Sequence, residues 1–313
     1  MSNVLVTGGC GYKGHVLVPK LLKAGHTVRI VDTLWFGNYL TPHGKLSIIE
    51  GSILSPEAID MDDVDTIIHL ASVANDPCGD LNPTLTWETN ALATMRLADR
   101  AWRAGVRQFI YASSGSVYGI KEEENVIEEL EANPVSAYNE TKMVSKRALL
   151  SYADDMAIQI IRPATVCGLS PRMRLDVSVN LLTMAALTKG EITVFGGAQV
   201  RPNIHIDDIT DVYLFFLSRP DQTGVFNAGF ENLSIREIAE MVAEVVNVPI
   251  TTTPSSDPRS YRMNADKLLA CGFAPKKTVS DAIAEIVAAH RAGSLSDEPN
   301  WHNLNWMQQK GLA

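Results

Sequence analysis

The sequence predicts an α/β protein with a Rossmann-type, doubly wound parallel sheet and a smaller mixed α/β C-terminal domain. Short, nearly continuous apolar runs alternate with helix-like segments through the first half, as in a parallel sheet covered on both faces. A glycine-rich turn, TGGCGYKG at Thr7–Gly14, joins the first apolar run to the first helix pattern. From about Cys167 the regular alternation stops, and glycines and prolines interrupt the chain.

The elements can be assigned in chain order. The strands of the sheet are predicted at Val4–Val6, Val28–Val31, Thr66–Leu70, Phe109–Ala112 and Ile158–Ile161. Helix patterns in the first half lie at Tyr12–Ala24 and Trp87–Ala104. Pro19 falls inside the first of these, where it removes a hydrogen bond and is expected to kink the helix. Two later helices are predicted to begin with capping boxes, at Ser234–Glu237 and Thr278–Asp281.

Composition excludes several classes of function. The chain of 313 residues is 46% hydrophobic and 20% charged, as in ordinary globular proteins. Its net charge of −9 disfavours nucleic acid and anionic membranes as partners, because both need a basic face. The four cysteines are scattered and have no metal-ligand spacing, which predicts free thiols and no metal site. No apolar run approaches membrane-spanning length, so we expect a cytoplasmic protein without a membrane partner.

The glycine turn is suited to a dinucleotide. Gly8, Gly11 and Gly14 allow a tight turn and a close backbone approach, and the helix that follows presents its N-terminus to a pyrophosphate. Asp32 ends the second predicted strand, 18 residues after Gly14. Its carboxylate can accept hydrogen bonds from the ribose hydroxyls and would repel a 2′-phosphate, which favours NAD over NADP. The alternative is an unoccupied turn in which Asp32 only caps a loop, and Lys13 lies either near the phosphates or in solvent.

A second set of residues suits proton transfer. Tyr138 and Lys142 are one helical turn apart and share a helix face. An ammonium beside the phenol stabilises the phenolate and is expected to lower the tyrosine pKa from about 10 toward neutrality. Such a tyrosine can take a proton from a hydroxyl while hydride leaves, or return it in reverse. Ser114, at the carboxyl end of a strand, can hydrogen-bond the same oxygen, so the set predicts redox chemistry on an alcohol or ketone.

Taken together, these motifs resemble extended short-chain dehydrogenases/reductases of the NAD-dependent nucleotide-sugar epimerase/dehydratase family, of the UDP-glucose 4-epimerase type. The resemblance covers nearly the whole chain. The matching segments are Thr7–Gly14, His69–Ser72, Asn90, Ser113–Gly119, Tyr138–Lys142, Arg162–Val166, Val194–Gly196, Arg201–Asp208 and Asp257–Arg259.

The resemblance implies roles for individual positions. The catalytic residues would be Ser114, Tyr138 and Lys142. The cofactor-binding residues would be Gly8, Gly11, Tyr12, Lys13, Gly14, Asp32, Ser52, Ile53, Leu70, Ala71, Ser72, Asn90, Ser113, Tyr138, Lys142, Pro163 and Thr165. The residues that bind a nucleoside-diphosphate sugar would be Asn75, Ser114, Ser116, Arg174, Asn180, Phe195, Arg201 and Arg259. Arginines suit a diphosphate and an aromatic ring suits a base, although each arginine alone is as readily a surface salt bridge and Asn75 a loop cap.

The resemblance also implies a division of the chain. Residues 1–166 would form the NAD-binding domain, with 201–228 packing back onto it. Residues 167–200 and 229–313 would form the nucleotide-sugar-binding region. A homodimer would form through the helices around Trp87–Ala104 and Tyr138–Tyr152.

One departure from the family pattern narrows the reaction. Members that eliminate water carry an Asp-Glu pair directly after the catalytic Ser or Thr, whereas this chain has Gly115 and Ser116. The leading expectation is therefore an epimerase that oxidises a ring hydroxyl, at C4, to a ketone and reduces it again. The alternatives are a sugar-nucleotide C4 dehydrogenase or 4-ketoreductase with net redox change, a 4,6-dehydratase, and a non-catalytic NAD-sensing protein on the same fold.

Overall fold

Twelve strands and eleven α-helices make up residues 1–255 and 260–312, which are the part of the chain that this computed structural model describes. The strands are β1 Asn3–Thr7, β2 Thr27–Asp32, β3 Leu46–Glu50, β4 Thr66–His69, β5 Gln108–Ala112, β6 Ala157–Pro163, β7 Thr165–Cys167, β8 Ile192–Phe195, β9 Val200–His205, β10 Gly224–Ala228, β11 Glu231–Ser234 and β12 Ile250–Thr253. The helices are α1 Gly14–Lys23, α2 Asp76–Leu81, α3 Pro83–Trp87, α4 Ala93–Arg103, α5 Ala137–Leu150, α6 Ser178–Lys189, α7 Ile206–Leu217, α8 Ile235–Val246, α9 Asp266–Ala270, α10 Val279–Arg291 and α11 Asn303–Gln309. A π-helical turn at Glu88–Leu92 joins α3 to α4.

Seven parallel strands form the central sheet, in the order β10-β6-β5-β4-β1-β2-β3. All five predicted strands are confirmed as members of this sheet. The strand order reverses at β1, whose neighbours are β2 and β4. In open α/β sheets the crevice at such a reversal, beyond the carboxyl ends of the strands, is where ligands bind.

Both faces of the sheet are covered by helices, which confirms the doubly wound fold. Alternate residues of one strand point to opposite faces, so Val4 and Val6 pack with α1 and α7, while Leu5 packs with α4. On the first face Leu17 and Phe216 are fully buried, and the second face buries residues of α4 and α5 in the same way. Burial on both sides explains why the strands read as continuous apolar runs instead of alternating ones.

A smaller mixed α/β unit follows, as predicted. It contains the three-stranded sheet β11-β9-β7 and the two-stranded sheet β12-β8, with a separate apolar cluster between α6, α8 and α10. Both predicted capping boxes are formed, at Ser234 with Glu237 and at Thr278 with Asp281. Within this half, β10 adds to the edge of the central sheet beside β6. The numerical domain limits stay a prediction.

Two helices differ from their predicted limits. The first begins at Gly14, not Tyr12, because the preceding residues form the glycine turn. The second is interrupted by the π-helical turn before α4 begins at Ala93. Of the helices in residues 1–255 and 260–312, none combines the length and the apolar character that crossing a bilayer requires.

Helix α1 continues through Pro19 to Lys23, which makes Pro19 a test of the helix. Pro19 is exposed and is the sixth residue of α1, so its missing N–H removes an interior hydrogen bond without any packing in return. We expect Pro19→Ala to raise the free energy of unfolding by about 1–2 kcal/mol, less than the ~3 kcal/mol propensity difference because proline also restricts the unfolded chain. Equilibrium unfolding in urea measures this change.

The matched control is Ala284→Pro, because Ala284 is the exposed sixth residue of α10. It should lower the free energy of unfolding by about 3 kcal/mol. In Pro19→Ala the new N–H of residue 19 can donate to the carbonyl of His15, four residues earlier. If this variant were no more stable than the parent, the added hydrogen bond would contribute nothing to the free energy of unfolding.

Candidate functional site

A cavity of about 380 Å³ lies at the carboxyl ends of the central strands, where the strand order reverses. It brings together most of the residues singled out in the sequence. Those that line it are Gly8, Gly11, Tyr12, Lys13, Gly14, Asp32, Ser52, Ile53, Leu70, Ala71, Ser72, Asn75, Ser113, Ser114, Ser116, Tyr138, Lys142, Pro163, Thr165, Arg174 and Arg201. The glycine turn and the Ser/Tyr/Lys set therefore share one cavity.

The glycine turn packs too closely for side chains. Gly8 has φ +72°, and a Cβ there would lie 2.6 Å from the backbone nitrogen of Ala71. A Cβ on Gly14 would lie 2.1 Å from the carbonyl oxygen of Gly9. The turn thus leaves its backbone open to the cavity, as a bound pyrophosphate requires.

Asp32 connects this turn to the end of β2. One carboxylate oxygen accepts the N–H of Cys10 at 2.9 Å, and the other accepts the N–H of Leu34 at 2.8 Å. Burial raises the pKa of Asp32, and the two backbone hydrogen bonds oppose that rise. A carboxylate has about four lone-pair sites, so acceptor capacity remains for the two hydroxyls of a ribose. Asp32 caps the following loop and also faces the cavity, so the two readings from the sequence are compatible, and the site fits NAD.

His15 fixes the loop beyond β2, a role that the sequence did not reveal. Its Nε2 accepts the N–H of Tyr39 at 2.8 Å, so the ring proton is on Nδ1, which donates to the carbonyl of Gly11 at 3.0 Å. Burial lowers the pKa of His15 to about 4, and the ring is neutral at physiological pH. The glycine turn and the Tyr39 loop are therefore held to each other.

Lys13 lies in the cavity wall, not in open solvent. Its ammonium donates to the hydroxyl of Tyr213 at 3.2 Å and lies over that ring. Burial, with the nearby charge of Arg174, lowers the pKa of Lys13 to about 8. Most molecules therefore keep a positive charge on Lys13 at neutral pH, close to the glycine turn.

Lys142 is buried between two aromatic rings. Its ammonium donates to the carbonyl oxygen of Ala112 at 2.8 Å and lies 4.8 Å from the ring centroid of Tyr111 and 5.7 Å from that of Tyr138. Burial lowers the pKa of Lys142 well below its usual range. Burial also raises the pKa of Tyr138 to about 12, and a hydrogen bond with Ser114 opposes this rise. The lowered tyrosine pKa expected from the sequence is wrong for the protein by itself, because burial outweighs an ammonium that is hydrogen-bonded to Ala112.

Ser114 belongs to a chain of hydrogen bonds. Its hydroxyl lies 2.7 Å from that of Ser116, which in turn donates to the side-chain oxygen of Asn139. The amide of Asn139 donates to Asp76 at 2.9 Å, and Ser136 donates to the same carboxylate oxygen at 2.7 Å. This chain fixes the direction of the Ser114 hydroxyl. Sequence reasoning missed Asn139 and Ser136, because neither belongs to a spacing motif.

The other end of the cavity is polar. Arg174 forms two hydrogen bonds with Asp176, at 3.0 and 2.9 Å, and Asn75 donates to the same carboxylate at 2.9 Å. Asn75 also caps α2 by accepting the N–H of Cys78. Both readings of Asn75 are therefore compatible, since it lines the cavity and caps a helix. Arg201 lines the cavity as well.

Within the described part of the chain, three predicted site residues are not among those that line the cavity. Asn90 is buried and hydrogen-bonds the backbone N–H and C=O of Val73. Asn180 is buried too. Its side-chain oxygen accepts the N–H of Gly168, and its side-chain nitrogen donates to the hydroxyl of Tyr12. Phe195 is 61% exposed at the end of β8. Arg259 lies outside the described residues, and its role stays a prediction.

One group outside the cavity has metal-ligating residue types. The ligand atoms of His205, Asp207 and Glu285 lie within 4.8 Å of one another. Both ring nitrogens of His205 already have partners, since Nδ1 accepts the N–H of Asp207 and Nε2 lies 3.2 Å from Glu285. Hydrogen bonding accounts for this group without an ion.

Known proteins share this fold and sequence pattern. The family described as "NAD dependent epimerase/dehydratase family" matches residues 4–229. A UDP-glucose 4-epimerase from Lactobacillus helveticus is 28% identical over 92% of this chain and 97% of that protein, and a UDP-glucuronic acid decarboxylase 1 from Arabidopsis thaliana is 27% identical over 94% and 71%. The solved structure of MoeE5 in complex with UDP-glucuronic acid and NAD superposes with a TM-score of 0.82 at 28% identity, covering 93% of this chain and 100% of that one. The chain belongs to the NAD-dependent epimerase/dehydratase family.

Proposed function

We propose that this protein is a nucleotide-sugar epimerase that oxidises a ring hydroxyl, at C4, to a ketone and then reduces the ketone from its other face. The observation that carries the proposal is the single cavity that Ser114, Tyr138 and Lys142 share with the glycine turn and Asp32. The similarity to a UDP-glucose 4-epimerase over nearly the full length of both proteins supports the same reaction class.

The residues divide the chemistry among them. The glycine turn and Asp32 would hold NAD, which when bound would supply the hydride acceptor and donor for this reaction. Tyr138 takes the hydroxyl proton as hydride leaves and gives it back during reduction. Ser114 hydrogen-bonds the same substrate oxygen, and the hydrogen-bond chain through Ser116 keeps it oriented. Lys142, held by the carbonyl of Ala112, supports negative charge on the tyrosine oxygen.

Local packing disfavours dehydration of the usual kind. A Cβ on Gly115 would lie 2.3 Å from the methyl group of Met263 and 3.0 Å from the hydroxyl of Tyr261. A side chain at that position would therefore require Met263 to move, and glycine itself offers no acid or base. Ser116, the next position, is occupied by its hydrogen bonds to Ser114 and Asn139. Neither position supplies the acid and base that elimination of water needs.

We further propose a cytoplasmic homodimer, as the family resemblance implies. Leu92, Met95 and Trp102 are large apolar side chains of the α4 region with 53, 41 and 43% of their surface exposed. Such a group of exposed apolar residues is suited to a partner helix surface. The four cysteines are free, as expected in a reducing compartment.

Product analysis tests the reaction. Pure protein is incubated with a panel of nucleoside-diphosphate sugars without added cofactor, and NMR identifies the products. A stereoisomer should accumulate over many turnovers without net reduced nicotinamide, because an epimerase regenerates its cofactor. A keto sugar formed only stoichiometrically, or only with added NAD, would instead establish a dehydrogenase or reductase.

Two variants belong to the same experiment. Tyr138→Phe should lower the turnover number by about 10²–10⁴-fold, the usual contribution of a positioned acid/base. Tyr152→Phe makes the same chemical change outside the cavity lining and should leave turnover unaltered. If Tyr138→Phe kept full biological activity, the proposed enzymatic function would be wrong, and the non-catalytic NAD-sensing protein would be the better hypothesis.

The raised pKa of Tyr138 predicts opposite pH dependences for the two half-reactions. With a pKa of about 12 the phenol is protonated across the neutral range. Oxidation of the sugar needs the phenolate, so its single-turnover rate should rise by about tenfold per pH unit up to the pKa that Tyr138 has beside bound NAD. Reduction of the keto sugar uses the protonated form and should be flat. Stopped-flow absorbance of reduced nicotinamide measures both rates, and a flat oxidation rate would show that the tyrosine already ionises below neutrality.

A variant of Ser116 tests whether this residue orients Ser114 or binds the substrate. Ser116→Ala breaks the chain that orients Ser114, a loss of about 1 kcal/mol, and should lower kcat by roughly fivefold with little change in KM. Ser151→Ala is the control, because it removes an exposed serine hydroxyl at the C-terminal end of α5, which donates to the carbonyl of Ala148, and leaves the Ser114–Ser116–Asn139 chain intact. A raised KM with unchanged kcat would instead make Ser116 a substrate ligand, as the family resemblance implies.

A further inference from the structure

Arg172 enters the cavity from the loop between β7 and α6. It lines the cavity together with Asp32, Phe36 and Asn303, and only 2% of its surface is exposed. The reaction proposed above does not use it, and the family resemblance assigned it no role. A buried arginine facing a ligand cavity needs an explanation, because a buried charge is costly unless it is paired.

The protein leaves the charge of Arg172 without a close counter-ion. Among the residues that the structure describes, no carboxylate oxygen lies within 4.0 Å of its guanidinium nitrogens. Its Nε is buried and has no hydrogen-bond partner. Burial, with the repulsion of Arg174, lowers the pKa of Arg172 to about 9, while Asp176 and Asp32 oppose that change. The guanidinium therefore stays positive at neutral pH and keeps donor capacity for an anion.

Two contacts hold the guanidinium in place. One terminal nitrogen donates to the side-chain oxygen of Asn303 at 2.6 Å, at the start of α11. The guanidinium carbon lies 4.2 Å from the ring centroid of Phe36, in the loop that follows β2. Both contacts are compatible with an anion on the remaining donors, since neither partner carries a negative charge.

The C-terminal segment holds the same loop. Trp306 donates from its indole N–H to the carbonyl of Trp35 at 2.7 Å, and Asn300 donates to the carbonyl of Phe36 at 3.2 Å. The loop that contains Trp35 and Phe36 is called the Phe36 loop, and residues 299–309 are called the α11 segment. Arg172, the Phe36 loop and the α11 segment therefore form one connected unit beside the cavity. A donor held this way is already oriented before the ligand arrives, which reduces the entropy cost of binding.

The surroundings of Arg172 indicate which anion it meets. The nucleoside-diphosphate sugar and the dinucleotide both carry a diphosphate. The guanidinium of Arg172 lies over Phe36, in the loop that follows β2 and its terminal residue Asp32, at the ribose position. Its charge favours the neutral form of His15 and the charged form of Asp32 on this side, and it also acts on Asp176 at the other end of the cavity. The start of α1, where a pyrophosphate is favoured, is on that side too.

We propose that Arg172 binds the pyrophosphate of the dinucleotide, opposite the glycine turn, and that the α11 segment holds Arg172 there so that the cofactor stays bound between turnovers. This inference rests on NAD as the cofactor of the proposed function, but not on the sugar or on the outcome of the reaction. A cofactor that is reduced and reoxidised on the protein has no need to leave, and a contact made only to its pyrophosphate slows its release.

The test compares ligands that differ in their phosphates. Arg172→Gln and Arg172→Lys are prepared in the full-length protein, and calorimetry measures the binding of adenosine, ADP, NAD and UDP. For Arg172→Gln we expect affinity for ADP and NAD to fall by about 10–100-fold, the range for hydrogen bonds to charged groups, with adenosine unchanged. Arg172→Lys should lose less, because it keeps the charge but not the planar pair of donors. The amount of NAD that copurifies should fall in the same order.

Asn303→Ala is the matched control, because it releases the tether and keeps the charge. It should weaken NAD binding less than Arg172→Gln does.

Equal losses for adenosine and NAD would overturn the proposal, since Arg172 would then act only by positioning the Phe36 loop. A loss confined to UDP would overturn it as well and move the contact to the sugar nucleotide. If Arg172→Gln did not fold, the ratio of NAD to adenosine affinity in Arg172→Lys decides the question. All of these readouts are independent of sugar turnover, so failure of the epimerase assay leaves them interpretable.

Discussion

The carboxylate of Asp32 is the constraint on which the organisation of the site depends. It accepts N–H groups from Cys10 and Leu34, and so ties the turn after β1 to the loop after β2. These two strands are adjacent in the sheet, at the point where its order reverses. With the two ends tied together, the glycine turn keeps one backbone conformation. His15 adds a second connection between the same segments through Gly11 and Tyr39. The dinucleotide end of the cavity is therefore rigid before any ligand binds.

Burial governs the proton chemistry at the other end. Taking Lys142 out of water lowers its pKa, and the same environment raises the pKa of Tyr138. Both groups are pushed toward their neutral forms, which is the usual cost of charge in a poorly solvated site. The protein alone therefore presents a protonated phenol, suited to donating a proton to a ketone. A positive charge close to the tyrosine oxygen would favour the phenolate, and the oxidised nicotinamide that the family uses carries such a charge.

The sequence predicted those parts of the structure that depend on short spacings. The glycine turn, the Tyr138–Lys142 pair, the five strands and both capping boxes each involve residues within a few positions of one another. What it missed depends on contacts that only the tertiary fold creates. Asn303 meets Arg172 across 131 positions of the chain, and no local pattern marks either residue. Roles carried over by resemblance stay predictions for the same reason: Asn180 is buried, and its side chain is hydrogen-bonded to Gly168 and Tyr12, contacts that the resemblance did not imply.

An epimerase places opposed demands on one cavity. The cofactor must be held through oxidation and reduction, whereas the keto sugar must turn over between these two steps. In the proposed epimerase the two requirements would fall at different ends of the cavity. Connections among loops, helix ends and the α11 segment are concentrated around Asp32 and Phe36, at the dinucleotide end. Toward the sugar, Tyr138 and Ser114 stay partly exposed, and Arg174 is neutralised by Asp176. In the proposed epimerase Arg174 would therefore not fix the sugar in one orientation, and both faces could be presented to the same hydride in turn.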